Sequence, residues 1–367
     1  MKKHIVFYVD SMQPAGGIER VVSTIVNKLS PFYRITLLVK DNPSSFYKIN
    51  DEITMISLDC PIILNMHSRT QRYKERFCNI FESATKLRKA IKGLSPDFIY
   101  VTTPYACLET QIAGIAPSKV ILSEHGARTN YNWVFRFLQK IQYKKYPIHI
   151  VASKYETDWY RQQGYNSTHI PHFVSDLKAV KPDLNSKLAI NIGRLTDDKN
   201  QITLLRIWKK LIDNMVASDW KLMIVGEGEN EQLISDYINN NELNKYVSVI
   251  PPTKNISDLY ARASLYLCTS RSEGYSLVLL EALSIGLPIV AFNCSEGTSE
   301  ILSDNGGILV PMGDEKAYFE NLSELINSYS SRLEQSKRAL LASQKWSDHR
   351  IIEKWKKTIE RDSNSLI

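Results

Sequence analysis

Residues 270–282 read SRSEGYSLVLLEA, and this short stretch is the most informative part of the chain. It sets Glu273 and Glu281 eight residues apart, with an apolar run of helical character leading from one to the other. If a helix starts at Tyr275 and rises ~1.5 Å per residue, the two carboxylates lie roughly 10–12 Å apart, about the length of a nucleotide sugar from hexose to ribose. Carboxylates accept hydrogen bonds from sugar hydroxyls, and the first N–H groups of a helix bind diphosphates. The stretch therefore predicts a site for a hexose, a diphosphate and a ribose, in that order.

The spacing of two glutamates alone is a weak signal, but the residues around them resemble the E-x7-E region of the retaining glycosyltransferases of family 4, which have the GT-B fold. The resemblance implies that Glu281 holds the ribose hydroxyls of a sugar donor and that Glu273 holds the sugar. It also implies that four backbone positions bind the diphosphate: Gly274, Tyr275, Ser276 and Leu277. The alternative is structural, with Glu273 preceding or capping a core helix and Glu281 as a solvated helix charge.

Residues 192–200, IGRLTDDKN, follow a predicted strand and lead into a helix. Gly193 lets the backbone approach a ligand, and Arg194 and Lys199 are placed in one loop where both can reach the same diphosphate. The loop is similar to the G-R-L…K-N arrangement of the family, in which both cations neutralise the leaving diphosphate. The alternative is a pair of solvated surface cations. Gly226 lies in a turn that resembles the family's G-x-G turn at the nucleotide pocket, and is otherwise an ordinary turn glycine.

Residues 14–20, PAGGIER, come after the first predicted strand, where a Rossmann-like sheet places its ligands. They do not form a G-x-G-x-x-G fingerprint, so a dinucleotide is not indicated. The loop resembles the GG-x-E-R loop of the family, which implies that the N–H groups of Gly16 and Gly17 face the donor phosphate and the acceptor. Glu19 and Arg20 are otherwise explained as a local ion pair.

Residues 123–126, SEHG, follow another strand end. The resemblance implies that His125 contacts the donor sugar, although a lone histidine is ordinarily a structural residue. The other histidines are expected to be structural, including His172, which stands where many members of the family have asparagine. Gly297 and Glu300 resemble the P-x-G-x-x-E turn near the pocket and are candidates for closing it.

The sequence contains no D-x-D motif, the carboxylate pattern with which metal-dependent transferases hold Mg²⁺ or Mn²⁺ on a diphosphate. Arg194, Lys199 and a helix N-terminus would neutralise the diphosphate instead. We therefore expect neither a metal nor another cofactor.

Short apolar runs alternate with helical patterns along the chain, which predicts parallel sheets with helices on both faces. In the first half, strands are predicted at 5–9, 35–39, 53–58, 98–102, 120–123 and 148–152. In the second half, they are predicted at 188–192, 221–225, 247–250, 265–269, 288–292 and 307–310.

At 367 residues the chain is too long for one typical core. We predict an α/β fold of GT-B type, with two Rossmann-like domains facing each other across a cleft and a C-terminal helix that crosses back to the N-terminal domain. The expected divisions are an acceptor-binding domain at 1–172, a linker at 173–186, a donor-binding domain at 187–345 and the final helix at 346–367.

The composition, with 43% hydrophobic and 23% charged residues, is that of a soluble globular protein. No apolar run approaches the ~20 residues of a membrane span, and the amino terminus lacks a signal-peptide core, so a cytoplasmic location is expected. The five cysteines show no C-x-x-C spacing, and we expect free, mostly buried thiols without a zinc site.

The net charge of +7 is concentrated in one region, because residues 60–160 hold 15 Lys and Arg against 7 Asp and Glu. Within it, residues 132–146 mix aromatic and cationic side chains, and residues 69–92 add more. Such a surface attracts anionic membranes, so the protein is expected to dock peripherally on the inner face of the cell membrane. The alternative is ordinary helices with charged outer faces. No nucleic-acid recognition motif accompanies the basic residues, and a nucleic-acid partner is not expected.

Together with these patterns, the resemblance to family 4 implies a metal-independent, retaining hexosyltransferase. It would move a hexose or N-acetylhexosamine from a UDP-sugar to a glycan acceptor, lipid-linked in the favoured setting of bacterial capsule, exopolysaccharide or lipopolysaccharide assembly. The residues expected at the chemistry are Glu273, His125, Arg194 and Lys199. The resemblance implies no protein nucleophile. The departing phosphate is the candidate group to accept the proton of the acceptor hydroxyl. The alternatives are a sugar-nucleotide epimerase of the same architecture and a non-catalytic nucleotide-sugar-binding subunit.

Overall fold

The structure is a computed structural model of the chain. It describes residues 2–62, 69–126, 131, 133–174, 177 and 180–361. Backbone contacts divide the chain into two compact units, residues 1–173 with 348–367 and residues 174–347. Each unit is built around its own parallel sheet.

The first unit has strands in the order β3-β2-β1-β4-β5-β6-β7, and every pairing is parallel. The strands are β1 (His4–Val9), β2 (Arg34–Val39), β3 (Thr54–Ser57), β4 (Phe98–Val101), β5 (Val120–Glu124), β6 (Ile148–Val151) and β7 (Ser167–His169). The helices are α1 (Gly17–Leu29), α2 (Arg69–Leu94), α3 (Pro104–Ile112), α4 (Trp133–Gln142) and α5 (Lys154–Gln162). All six residues of β1 are buried, as expected for a central parallel strand that is covered on both faces.

The second unit has strands in the order β10-β9-β8-β11-β12-β13, again all parallel. The strands are β8 (Leu188–Ile192), β9 (Lys221–Val225), β10 (Val247–Ile250), β11 (Leu265–Cys268), β12 (Ile289–Asn293) and β13 (Ile308–Pro311). The helices are α6 (Gln201–Asp213), α7 (Glu231–Asn240), α8 (Ile256–Arg262), α9 (Leu277–Ser284), α10 (Glu296–Ile301), α11 (Glu315–Asn327) and α12 (Tyr329–Ser343).

The last helix, α13 (Asp348–Arg361), belongs to the first unit. Its Asp348 pairs with Lys28 of α1 at 3.1 Å, and the Trp355 ring lies 6.1 Å from the ring of Tyr100 on β4. Trp355 is buried, so the apolar face of α13 forms part of the core of this unit. The predicted return of the chain to its N-terminal half is confirmed.

Every predicted strand is present within a few residues of its predicted bounds. The strand that the sequence patterns missed is β7, because its three residues, Ser-Thr-His, show no apolar periodicity. Helix α9 begins at Leu277 and not at Tyr275, since Ser276 has an extended backbone (φ −72°, ψ 111°). All five cysteines are free.

Two boundaries differ from those drawn on the sequence. The end of the predicted linker packs within the second unit, where the N–H of Asp183 donates to the carbonyl of Ala261 and Arg332 donates to the carbonyl of Leu184. At the other end, Trp346 lies in a short 3-10 turn of the second unit, before α13 begins. Its indole N–H donates to the Tyr275 hydroxyl at 2.7 Å, which explains why it stays with that unit.

Candidate functional site

In the second unit, two loops at the carboxyl ends of adjacent strands are tied together. One follows β8 and the other follows β11. The N–H of Arg271 donates to the carbonyl of Asp198 at 2.7 Å, and the Asn200 side-chain amide donates to the carbonyl of Thr269 at 3.1 Å. The Thr269 hydroxyl donates in return to the carbonyl of Asn200 at 3.0 Å. The two loops therefore form one rigid platform.

Lys199 and Glu273 meet on this platform. The Lys199 ammonium donates to Glu273 Oε1 at 2.7 Å, and the Ser270 hydroxyl donates to the same oxygen at 2.7 Å. The Lys199 side chain is 19% exposed and the Glu273 side chain is 9% exposed. Burial lowers the pKa of Lys199, but the charge and hydrogen bond of Glu273 outweigh it and hold that pKa above its usual value. The lysine is therefore a fixed cation beside a partly accessible carboxylate.

Arg194 is placed differently. Its side chain is 68% exposed, and its guanidinium lies 3.7 Å from the carboxylate of Asp198. Its backbone is fixed, because the Gln201 side chain donates to its carbonyl at 2.9 Å. Lys199 is thus preset in the structure, whereas Arg194 has the freedom to close on a ligand.

Two glycines are needed for packing beside this platform. A Cβ on Gly226 would lie 2.0 Å from the carbonyl oxygen of Gly193, and a Cβ on Gly297 would lie 1.9 Å from that of Gly274. Any side chain at either position would push the backbones apart. Gly226 therefore acts by bringing the loop after β9 against Gly193, and Gly297 by seating α10 against the loop that carries Glu273.

The start of α9 follows directly on Glu273. Ser276 is the N-cap residue, and its side chain makes no capping hydrogen bond within the described residues. The first N–H groups of α9, from Leu277 onward, are thus not capped by the side chain that normally does so. Tyr275 is held by Trp346, and burial raises the pKa of its hydroxyl.

Glu281 is fully buried on α9, which excludes a solvated helix charge. Its Oε2 accepts a hydrogen bond from the buried Tyr260 hydroxyl of α8 at 2.9 Å. Placing a carboxylate in such surroundings is costly without partners, so its environment is specific. A ribose reaching Glu281 would have to share it with Tyr260.

In the first unit, Gly16 and Gly17 lie at the carboxyl end of β1, where α1 starts. Gly16 is the extended N-cap residue of α1. A Cβ on Gly16 would lie 2.1 Å from the Glu19 carboxylate, whereas a Cβ on Gly17 meets no described atom within 4 Å. The Glu19 carboxylate thus folds over the start of α1, a position that the helix dipole favours. The Arg20 guanidinium lies 5.7 Å from the centre of the Tyr47 ring.

His125 follows β5 at the same edge of this sheet. Its Nε2 shares a 2.8 Å hydrogen bond with the Tyr100 hydroxyl, and its ring lies 5.2 Å from the ring of His172. Burial lowers the pKa of His125 to about 4 and, together with the charge of His125, lowers that of His172. His125 Nδ1 is buried without a hydrogen-bond partner in the part of the chain that the structure describes. The imidazole is therefore neutral at physiological pH and has one nitrogen left for a ligand.

The sequence assigned no role of their own to three residues of these arrangements. They are Asn200, which ties the two loops, Tyr100, which orients His125, and Tyr260, which holds Glu281. Asn200 is the asparagine of the G-R-L…K-N match, and it adopts a left-handed backbone (φ 55°, ψ 40°) that asparagine tolerates better than most residues. The two tyrosines are apolar-looking members of a strand and a helix, and only the fold brings them to their partners.

Comparison with known proteins identifies the family. A family model described as glycosyl transferases group 1 matches residues 175–341, and one described as glycosyltransferase family 4 matches residues 15–176. The chain belongs to the family 4 glycosyltransferases. The two models divide the enzyme close to the boundary between its units.

Several bacterial glycosyltransferases resemble this enzyme over their whole length. An uncharacterized glycosyltransferase of Haemophilus influenzae is 27% identical, covering 96% of this chain and 99% of the relative. The amylovoran biosynthesis glycosyltransferase AmsD of Erwinia amylovora is 25% identical, covering 96% and 98%. An α-1,4-N-acetyl-D-galactosaminyltransferase of Campylobacter jejuni, whose named substrate is a diphospho-undecaprenol-linked glycan, is 25% identical, covering 96% and 97%.

Solved structures share the fold at low sequence identity. Sucrose-phosphate synthase from Thermosynechococcus elongatus has a TM-score of 0.80 at 14% identity, covering 98% of this chain and 99% of that one. TarM from S. aureus, in complex with UDP, has a TM-score of 0.79 at 14% identity, covering 98% and 100%. The GT-B fold predicted from the sequence is confirmed.

Two features are absent from the described ranges. No group of three or more His, Cys, Asp or Glu side chains there is arranged to hold a metal ion. No helix there has the length and apolarity needed to cross a membrane.

Replacing Asn200 tests whether the platform depends on it. Asn200→Ala removes the hydrogen bond to Thr269 and strains the left-handed backbone, so we expect the free energy of unfolding to fall by about 1–3 kcal/mol and donor binding to weaken. Asn200→Gly loses the same hydrogen bond without the strain and is expected to cost less. Urea unfolding and donor titration measure both effects. Equal stability of the three proteins would contradict this role.

The burial of His125 predicts a dependence of stability on pH. The unfolded histidine has its ordinary pKa of 6.5, whereas burial lowers the pKa of the folded one to about 4. The contribution to stability is therefore complete above the unfolded pKa and is lost as the pH falls towards the folded one. Urea unfolding at several pH values should show a smaller loss for His125→Gln than for the native enzyme. The exposed His349→Gln is the control, and identical losses in all three would refute the prediction.

Proposed function

We propose that the enzyme transfers a hexose or N-acetylhexosamine from a UDP-sugar to a hydroxyl of a glycan acceptor, with retention of the anomeric configuration. The observation that carries this proposal is the Lys199–Glu273 pair, 2.7 Å apart, at the start of α9. It puts a fixed cation, a carboxylate with remaining exposure and a helix N-terminus in one place. A nucleoside diphosphate sugar has the complementary groups, two phosphates beside a polyhydroxyl ring.

The diphosphate is the leaving group, so its growing negative charge must be stabilised as the sugar departs. In our proposal Lys199 supplies a preset positive charge, and Arg194 closes on the phosphates from its exposed position. The N–H groups at the start of α9 add hydrogen bonds and the favourable end of the helix dipole. These groups would act without a metal ion.

The two glutamates have separate roles in this proposal. Glu273 accepts hydrogen bonds from sugar hydroxyls while it remains oriented by Lys199 and Ser270. Glu281 accepts from the ribose hydroxyls while the Tyr260 hydroxyl donates to its Oε2. Protein donors fix the direction of each carboxylate before the donor substrate binds.

The reaction breaks the bond between the anomeric carbon and the diphosphate oxygen and forms a bond from the same carbon to the acceptor oxygen. The acceptor hydroxyl loses its proton to the departing phosphate, so no protein nucleophile is required. His125, in the first unit, is proposed to act as a neutral hydrogen-bonding group, because Tyr100 occupies Nε2 while Nδ1 has no partner among the described residues.

We propose a lipid-linked glycan as the acceptor, in the assembly of a bacterial surface polysaccharide. The support comes from the relatives, since one is named for amylovoran biosynthesis and two Campylobacter jejuni enzymes are named for diphospho-undecaprenol-linked substrates. The reaction would then take place at the inner face of the cell membrane.

The glutamate roles are separable by experiment. Titrating UDP and its 2′,3′-dideoxy analogue measures what the ribose hydroxyls contribute to affinity. We expect the native enzyme to prefer UDP and Glu281→Gln to lose that preference, because the amide no longer accepts from both hydroxyls. Glu273→Gln should keep UDP affinity and lower kcat by about 10²–10³-fold. Turnover is measured with a crude lipid-linked acceptor.

The exposed Glu320→Gln on α11 is the matched control and should behave as the native enzyme. Tyr260→Phe shows whether Glu281 acts alone or through its tyrosine partner. Binding of UDP-sugar without turnover in the native enzyme, or unchanged behaviour of both glutamate variants, would contradict the proposed function.

A further inference from the structure

Helix α4 presents a row of large apolar side chains to solvent. Trp133, Phe137 and Ile141 are spaced four residues apart and so lie on one face, with 72%, 57% and 48% of their surface exposed. We call these three residues the α4 stripe. Scattered apolar side chains are normal on a protein surface, but a continuous row over about two helical turns marks a surface that binds something.

The inward face of α4 carries two buried glutamines beside Phe135, whose ring packs edge-on against Tyr105 with ring centres 5.0 Å apart. Gln139 and Gln142 are buried. The Gln139 amide donates to the Tyr160 hydroxyl at 2.7 Å and to Glu124 Oε2 at 3.3 Å. Phe135 and the two glutamines fill the inward face of α4, so the α4 stripe is left outside the core of this unit.

The charged side chains of α4 and of the turn that follows it are all cationic. Lys140, Lys144 and Lys145 are exposed, and residues 133–146 contain no Asp or Glu. Lys144 reaches over the Tyr165 ring, with its ammonium 5.4 Å from the ring centre. A lysine keeps its ammonium group in water while its aliphatic stem lies along apolar surface. Lysines beside apolar side chains therefore complement a surface whose outer layer is anionic and whose inner layer is hydrophobic.

We propose that the α4 stripe docks the enzyme on an anionic lipid surface. Trp133, Phe137 and Ile141 would enter the boundary between headgroups and acyl chains, and the lysines would contact lipid phosphates. An aromatic ring at one end and cations along the flank favour this partner over a protein groove. Docking at this surface would bring the enzyme to its lipid-linked acceptor. That purpose rests on the proposed function, whereas lipid binding itself is measured without donor or acceptor.

Tryptophan fluorescence tests the orientation directly. Trp133 is exposed, whereas the other five tryptophans are buried or half-buried: Trp159, Trp208, Trp220, Trp346 and Trp355. Vesicles of phosphatidylcholine and phosphatidylglycerol with brominated acyl chains quench tryptophans that enter the bilayer surface. We expect quenching of the full-length enzyme and its loss in Trp133→Phe, while Trp133→Phe still floats with the vesicles.

Flotation of the full chain with the same vesicles tests the residues. Charge reversal of Lys140, Lys144 and Lys145 to Glu should lower the vesicle partition coefficient on the order of a hundredfold. A tenfold change in this coefficient corresponds to about 1.4 kcal/mol of binding free energy. Trp133→Ser combined with Phe137→Ser should lower it at least tenfold, and pure phosphatidylcholine should bind the native enzyme weakly. Controls on the second unit are Leu341→Ser and reversal of Lys245, Lys316 and Lys337, which should change little.

The exposed positions of these side chains mean that the variants are expected to melt like the native enzyme. Absence of binding to anionic vesicles, or binding that neither variant set reduces, would overturn the proposal. So would self-association through this face, seen by light scattering as a particle size that rises with concentration and returns to the monomer in the serine variants. Vesicle binding together with inactivity towards every glycosyl acceptor would refute the proposed function and leave the docking surface standing.

Discussion

The ion pair between Lys199 and Glu273 is the interaction on which the proposed site depends. An ammonium and a carboxylate with little exposure lose most of their hydration, and each is stable there because the other is 2.7 Å away. The pair also needs two loops from different strands to stay in register, which Asn200 and Thr269 ensure. A diphosphate sugar entering this place meets charges that are already oriented, so little reorganisation is required on binding.

Both units place their polar loops at the carboxyl edge of a parallel sheet. Parallel strands bring their carboxyl ends to one edge of a sheet, and the loops there carry polar groups that the core could not hold. In the second unit this edge holds Lys199 and Glu273, and in the first it holds His125 after β5 and the glycine loop after β1. Each polar side chain is oriented by a buried neighbour, as His125 is by Tyr100. The helices behind the sheets act mainly as supports, apart from α9, which carries Glu281, and α4, whose Trp133 and Phe137 face outward.

The sequence predicts most of this organisation, since buried parallel strands are continuous apolar runs and the loops after them carry glycines and charges. It does not predict contacts between loops far apart in the chain. Asn200 and Thr269 are 69 residues apart, and Tyr260 reaches Glu281 through the fold alone. It also suggests that Arg194 and Lys199 act alike, whereas the structure leaves one exposed and sets the other against Glu273. The sequence also does not predict that Trp133 faces outward, because this depends on which face of α4 packs against the rest of the unit.

The central claim is that a preset lysine, and not a metal, receives the donor diphosphate. Calorimetric titration of UDP into the full chain in the presence of EDTA tests it most directly, with Lys199→Gln beside the native enzyme and Lys316→Gln as the control. The account predicts binding without metal, weaker at higher salt, with a loss of affinity of about tenfold or more in Lys199→Gln alone. Binding that requires Mg²⁺, or an affinity unchanged by Lys199→Gln, would contradict it.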